Sequence, residues 1–143
     1  MGEGGYEVSR DEIIKGVIGC VAESLALEPS KITAKSKVIA ELGAESLDFM
    51  DIIFRLDAKF GVSLQKEDFD LIARVGMKRD EAVQNEFLTA QAKERLVRWL
   101  PGIPVSADLK PKDLAQFVSV ESIGLVVEER LKNSKAEAQP ASL

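Results

Sequence analysis

A chain of 143 residues with 45% hydrophobic and 30% charged residues has the composition of one ordinary globular domain, far from the disordered class. Its net charge of −5 and pI near 4.9 exclude nucleic acid and anionic membrane as partners, since both reward clustered Lys and Arg, and favour basic protein surfaces instead. The absence of histidine removes Ser-His-Asp and Cys-His nucleophile systems and most zinc chemistry, so neither an enzyme nor a metal site is expected.

The single cysteine, Cys20, rules out an internal disulfide framework and reads as a core residue of a cytoplasmic protein. No signal-peptide pattern, P-loop, dinucleotide fingerprint or internal repeat is visible. The apolar runs fall far short of the roughly twenty residues a membrane span needs. Tyr6 stands where an N-myristoylation signal has Ser or Thr after Gly2.

In chain order, Ser9-Arg10-Asp11-Glu12 reads as a capping box, with Val8 and Ile13 placed as a hydrophobic staple. Ile14, Val17, Ile18, Val21 and Leu25 then recur at helical spacing, and Pro29 stops the helix near Leu27. Gly16 and Gly19 each cost about 1 kcal/mol relative to alanine in a helix interior. They serve close packing or are merely tolerated. Residues 28–42 lack a sustained period but contain Ile32, Val38, Ile39 and Leu42, which predicts a long connection pinned to the core by apolar anchors. Lys31, Lys35 and Lys37 give that connection a solvated basic face or a partner contact.

The next stretch carries the chemistry. From Leu47 to Phe60 the polar residues Asp48, Asp51, Arg55 and Lys59 form one stripe of a helix. Phe49, Ile52, Ile53, Leu56 and Phe60 make a broad apolar face beside a second row of Leu47, Met50 and Phe54, so the helix is expected to be largely covered. Gly61 stops it. Ser46 falls at its start, where a serine oxygen suits an N-cap and Gly43 allows a sharp entry. The positive end of the helix dipole there favours an anion attached to that oxygen, such as a phosphate ester. Gly43-Ala44-Glu45-Ser46-Leu47 does not match the Gly-x-Ser-x-Gly nucleophile elbow.

After Gly61, Val62-Ser63-Leu64 reads as an extended packing segment, and residues 66–75 as a short helix burying Phe69, Ile72 and Val75. Residues 76–86 are polar with scattered small residues. Leu88, Ala92, Leu96, Trp99 and Leu100 make a helical stripe that Thr89 can cap. Pro101, Gly102, Pro104 and Pro111 break the chain beyond Leu100 into turns, with at most a helical turn near residues 113–117. Ser119 can cap a last helix carrying Val120, Ile123, Val127 and Leu131 on one face, with Val118 and Ile123 as its staple. Residues 133–143 read as a disordered tail.

The wording Gly43-Ala44-Glu45-Ser46-Leu47-Asp48, with Glu41-Leu42 before it and Phe60-Gly61-Val62 closing the helix, resembles the attachment-site region of acyl carrier proteins. The resemblance runs from about Ser9 to Leu64 and resumes more weakly from Phe117 to Leu131. It implies that Ser46 receives a covalent 4′-phosphopantetheine from a phosphopantetheinyl transferase (holo-carrier synthase). Glu45 stands where the family usually has Asp and keeps the charge. The resemblance further implies that Glu45, Asp48 and Asp51 meet basic patches on the transferase and on acyl-transferring and acyl-modifying enzymes, although carboxylates in the first helical turns also simply complement the dipole. Phe49, Met50, Phe54 and Trp99 are core by default and are the candidates for an acyl-chain environment. Arg55, Ala58 and Lys59 occupy a region usually more acidic in the family, which implies weak recognition by the ordinary fatty-acid synthesis enzymes or only a balanced helix C-terminus.

The expected fold is therefore all-α: a four-helix acyl-carrier-like bundle in a single domain over residues 1–132, with an inserted helical segment at about residues 65–116, between the second and last helices. The expected function is non-catalytic. A monomer would hold acyl intermediates as thioesters on the arm at Ser46 for fatty acid or specialised lipid biosynthesis, the insertion resembling the subgroup that handles very long or unusual chains. The alternatives are a peptidyl or aminoacyl carrier, and an unmodified interaction module of the same fold.

Overall fold

The computed structural model describes residues 8–138, so the expectations for Gly2, Tyr6 and residues 139–143 fall outside it. Its main helices are α1 (Arg10–Leu25), α2 (Ser46–Phe60) and α6 (Val120–Ala138). Between the last two lie the short helices α3 (Leu71–Arg74), α4 (Arg79–Ala82) and α5 (Ala90–Leu96). An antiparallel hairpin of β1 (Val83–Gln84) and β2 (Phe87–Leu88) separates α4 from α5. Short stretches of 3-10 helix occupy Pro29–Lys31, Lys66–Phe69 and Pro111–Phe117. The chain is all-α in architecture, with the hairpin as its one sheet among the described residues. No described helix is long and apolar enough to cross a membrane.

Helix α1 is the centre of the bundle, packing against both α2 and α6. Its capping box forms as the local sequence dictates: the Ser9 hydroxyl accepts the Glu12 N–H at 3.2 Å, and the Glu12 carboxylate accepts the Ser9 N–H at 3.1 Å. Ile13, Val17 and Val21 of α1 meet Ile52 and Leu56 of α2 and Ile123 and Val127 of α6 in one buried core. The two α1 glycines separate here. A Cβ at Gly16 would lie 2.5 Å from the Phe60 ring, so that glycine lets α1 and α2 approach, whereas a Cβ at Gly19 would meet nothing within 4 Å.

The long connection after α1 is anchored by Ile32 and Val38, both buried. It also holds the start of α6. Val38 N–H donates to the Val118 carbonyl, and the N–H groups of Val120 and Glu121 donate to Ser36 and Ala34 carbonyls at 3.0 and 2.8 Å. These bonds satisfy donors that an isolated helix start would leave free. The Ser119 hydroxyl adds its cap, accepting the Ser122 N–H at 3.1 Å. At its other end α6 continues to Ala138, so residues 133–138 are helical where a disordered tail was expected.

The inserted segment joins the same core. Leu96 and Leu100 are fully buried, and Trp99 is buried with the guanidinium groups of Arg74 and Arg98 over its ring, 4.8 and 4.9 Å from its centroid. Both arginines also face Glu129 of α6, at 3.8 and 3.4 Å. Thr89 caps α5 as expected, its hydroxyl accepting the Ala92 N–H at 3.3 Å. The helix ends at Leu96, earlier than its apolar stripe implied. From there Trp99 and Leu100 both donate to the Leu96 carbonyl in tight turns that lead into Pro101.

The hairpin over residues 83–88 lies where the sequence reads as a polar stretch up to Glu86 and as the start of a helical stripe at Leu88, which instead belongs to β2; it turns through Asn85 and Glu86 at φ of 53° and 73°. A tight hairpin demands two such left-handed residues, and glutamate is poorly suited to one. Its ion pair with Lys110, at 3.8 Å with the glutamate largely exposed, offsets little of that strain. Glu86→Gly is therefore expected to stabilise the protein by up to about 1 kcal/mol, read as a melting temperature higher by about 3 °C. A lower melting temperature would show that the Glu86 side chain contributes more than its conformation costs.

Candidate functional site

The approach to α2 is built from consecutive turns. Glu41 and Leu42 N–H groups donate to the Lys37 carbonyl, Gly43 N–H to Ile39 and Ala44 N–H to Val38, at 2.9 to 3.2 Å. Gly43 adopts φ 78°, a conformation that favours glycine, and Ala44 is buried beside the core. The chain thus emerges at Glu45 with its direction set.

Here the structure corrects the expected cap. Glu45, not Ser46, occupies the N-cap position, and the Asp48 carboxylate accepts the Glu45 N–H at 2.9 Å. The reason is reciprocal chemistry: three residues after Glu45 stands Asp48, which can reach back, whereas three residues after Ser46 stands Phe49, which cannot. Ser46 becomes the first residue of α2, is exposed, and its hydroxyl makes no hydrogen bond among the described residues. A nucleophilic oxygen free of internal partners thus sits at the positive end of a fifteen-residue helix.

Ser46 also lines a cleft of about 670 Å³, within the range of roughly 300–1,000 Å³ usual for small-molecule sites. Phe49 and Met50 of α2 form one wall, Phe69, Leu71 and Ile72 a second, and Leu114, Ala115 and Val118 a third. The Phe49 ring stands edge-on to Phe69, with centroids 5.2 Å apart. Lys66, Glu67, Asp70, Arg79 and Lys112 supply its charged groups. An unbonded hydroxyl beside a mainly apolar cleft fits a phosphodiester-linked arm ending in an acyl group, with Ser46 as the residue that would hold it. When bound, such an arm supplies a thiol that takes up the acyl group as a thioester.

Of the four residues named for an acyl environment, Phe49 and Met50 line this cleft, while Phe54 and Trp99 do not. Phe54 is 68% exposed on the uncovered side of α2. Trp99 is buried elsewhere, with the guanidinium groups of Arg74 and Arg98 over its ring. The expectation that α2 is largely covered fails for the whole row of Leu47, Met50 and Phe54, which are 84%, 37% and 68% exposed. Periodicity places these three on one face, and α1 packs on another. Lys66, Arg79, Lys112 and Leu114 went unrecognised because separate segments bring them to Ser46 only in the folded chain.

The three acidic candidates differ in their engagement. Glu45 is exposed and makes no ion pair among the described residues. Asp48 caps the helix, and Asp51 accepts a hydrogen bond from Arg55 Nε at 2.8 Å, while Arg55 Nη1 lies 3.2 Å from Glu23. The Arg55 hydrogen bond holds the Asp51 carboxyl below the usual carboxylate range. A lowered native value means that the folded state binds the proton less readily than the unfolded chain. The pair's contribution is therefore complete above the ordinary value of about 3.9 and is lost as pH falls through the lower native one. Arg55→Gln is expected to raise the Asp51 midpoint in a carboxyl-carbon NMR titration. An unchanged midpoint would place the cause elsewhere. The Cys20 thiol is raised by burial, which makes it a core residue rather than a reactive one.

Residues 15–76 match the profile of a family described as phosphopantetheine attachment site. The acyl carrier protein of Thermotoga maritima is 37% identical over 68 residues, which make up 48% of this chain and 84% of that protein. That of an Exiguobacterium species is 35% identical over 69 residues, 48% of this chain and 87% of its own length. That of Helicobacter pylori is 31% identical over 64 residues, covering 45% and 82%. No solved structure matches the chain. With more than four-fifths of each of these relatives covered, the chain belongs to the acyl carrier protein family, non-catalytic carriers of acyl groups on a covalent 4′-phosphopantetheine arm.

Proposed function

We propose that Ser46 is the attachment point of the 4′-phosphopantetheine arm and that this protein holds acyl intermediates there for fatty acid or specialised lipid biosynthesis. The observation that carries this reading is the exposed, unbonded hydroxyl at the first residue of α2, lining a cleft whose other walls are mostly apolar. That lining favours an acyl over an aminoacyl cargo, with Phe49 and Met50 among the residues the chain would touch. Residues 65–116 belong to the same carrier domain, since Leu96, Trp99 and Leu100 share its core. The decisive measurement is intact-protein mass after incubation with coenzyme A and a phosphopantetheinyl transferase. One added phosphopantetheine, on the peptide containing Ser46, is the expected result. An unchanged mass overturns the reading.

The transferase and the acyl-handling enzymes meet the protein on the face that surrounds Ser46. Glu45, Asp48 and Asp51 offer it negative charge, and the exposed row of Leu47, Met50 and Phe54 offers apolar area beside that charge. The matching partner surface is a basic rim around an apolar patch. Glu45→Lys is the clean test, because the Asp48 side chain also caps α2. It is expected to slow modification through the encounter rate, by about tenfold at low salt, with the difference shrinking as ionic strength rises. A loss independent of salt would mean that the charge of Glu45 plays no part in the encounter.

A further inference from the structure

On a protein of net charge −5, the charged groups lining the cleft beside Ser46 run the other way. Lys66, Arg79 and Lys112 line it together with two carboxylates, Glu67 and Asp70. Asp70 also caps α3, accepting the Ala73 N–H at 3.3 Å, so the cations exceed the carboxylates by one. None of the three cations makes an ion pair among the described residues, although seven other pairs form there. The fold thus leaves three cationic side chains unmatched around a concave site. Arg79 and Lys112 lie beyond residue 76, outside the span that matches the attachment-site profile, so this feature belongs to the inserted segment of this chain.

We infer that Lys66, Arg79 and Lys112 form a cationic clasp that holds an anionic group of the loaded arm against the cleft. This inference builds on the attachment of the arm at Ser46. Two groups could supply the anion. One is the phosphodiester that joins the arm to Ser46, whose covalent anchor keeps it at the cleft mouth. The other is an acidic group on the acyl chain, which would make the clasp a selector for carboxylate-bearing chains. In either case the apolar walls at Phe69, Leu114 and Ala115 receive the hydrocarbon part, and the clasp closes over its polar end. Burial of apolar surface supplies most of the attraction, while the cations determine which way the arm lies.

The test uses the full chain, carrying the arm at Ser46, in three forms: the free thiol, a saturated acyl thioester, and a thioester of equal length ending in a carboxylate. Intact mass verifies each form. Amide shifts of Leu114 and Ala115 and the guanidinium signal of Arg79 are then compared with those of the unmodified protein. Perturbation already in the thiol form assigns the anion to the phosphodiester. Perturbation confined to the carboxylate form assigns it to the chain end. Either pattern must fade as salt is raised from about 0.01 M to 1 M, where the screening length falls from about 30 to 3 Å. It must also shrink by at least about half in an Arg79→Gln/Lys112→Gln variant, whose two exposed sites leave the core untouched. Silence at these positions in all three forms overturns the clasp while leaving the attachment intact. Persistence of the full perturbation in the double variant or at high salt also overturns it. Failure to gain mass at Ser46 overturns the attachment and the clasp together.

Discussion

Replacing Ser46 with alanine is expected to abolish incorporation of phosphopantetheine completely while changing stability by no more than about 0.5 kcal/mol. The loss is total because the hydroxyl oxygen is the atom that would form the phosphodiester. The small stability effect follows from the position of the cap. Had Ser46 been the N-cap, alanine there would cost about 1 kcal/mol. Glu45 holds that position and Asp48 supplies the reciprocal bond at 2.9 Å, so removing an exposed, unbonded hydroxyl leaves every helix bond in place. Intact mass and urea denaturation of the same preparation test both halves. A residual mass gain would move the attachment to another hydroxyl. A destabilisation near 1 kcal/mol would mean that the serine oxygen does cap α2 in solution.

The contrast between the two caps shows what local sequence determines. At α1 a serine and a glutamate three residues apart admit one solution, and that solution forms. At α2 two candidates stand side by side, and only the identity of the residue three places on, Asp48 or Phe49, decides between them. The deciding signal was present, but a serine before an apolar run outweighed it. The attachment motif itself was legible because its meaning lies in a contiguous string of residues. The cleft was legible only in part, through Phe49 and Met50 of α2, because Ile39 and Leu114 are far from them in the chain and join them only through the fold.

Helical periodicity has a related limit. It placed Leu47, Met50 and Phe54 on one face correctly, yet it carries no information about whether a neighbour covers that face, and Leu47 and Phe54 stay 84% and 68% exposed. The hairpin escaped notice for a chemical reason. Its turn is Asn85-Glu86, and a glycine in the second place would have announced it. For α2 the residues were grouped properly and the missing quantity was the environment that the rest of the chain supplies, whereas Leu88 was grouped with the following helix and pairs instead with Val83.

Leu96→Ala is expected to destabilise the whole protein, by about 2–5 kcal/mol, a large share of the roughly 5–15 kcal/mol that holds a domain together. Leu96 is fully buried in the inserted segment, yet it belongs to the same continuous core as Ile13 of α1, Leu56 of α2 and Ile123 of α6. Helix α5 has only seven residues and could not persist in water by itself, so its existence depends on this docking. Two probes report on different parts of the molecule. Trp99 is the one tryptophan and senses the insertion, whereas far-ultraviolet circular dichroism is dominated by α1, α2 and α6. If residues 65–116 are part of one cooperative domain, both probes follow a single urea transition in the native protein, and Leu96→Ala moves both midpoints together without changing the slope. A fluorescence transition that moves alone, with the dichroism midpoint unmoved, would show the insertion to be an independent unit laid against the carrier. The cleft wall at Leu114 and Ala115 would then come and go without unfolding the carrier, and the clasp on Arg79 and Lys112 would be a movable part instead of a fixed one.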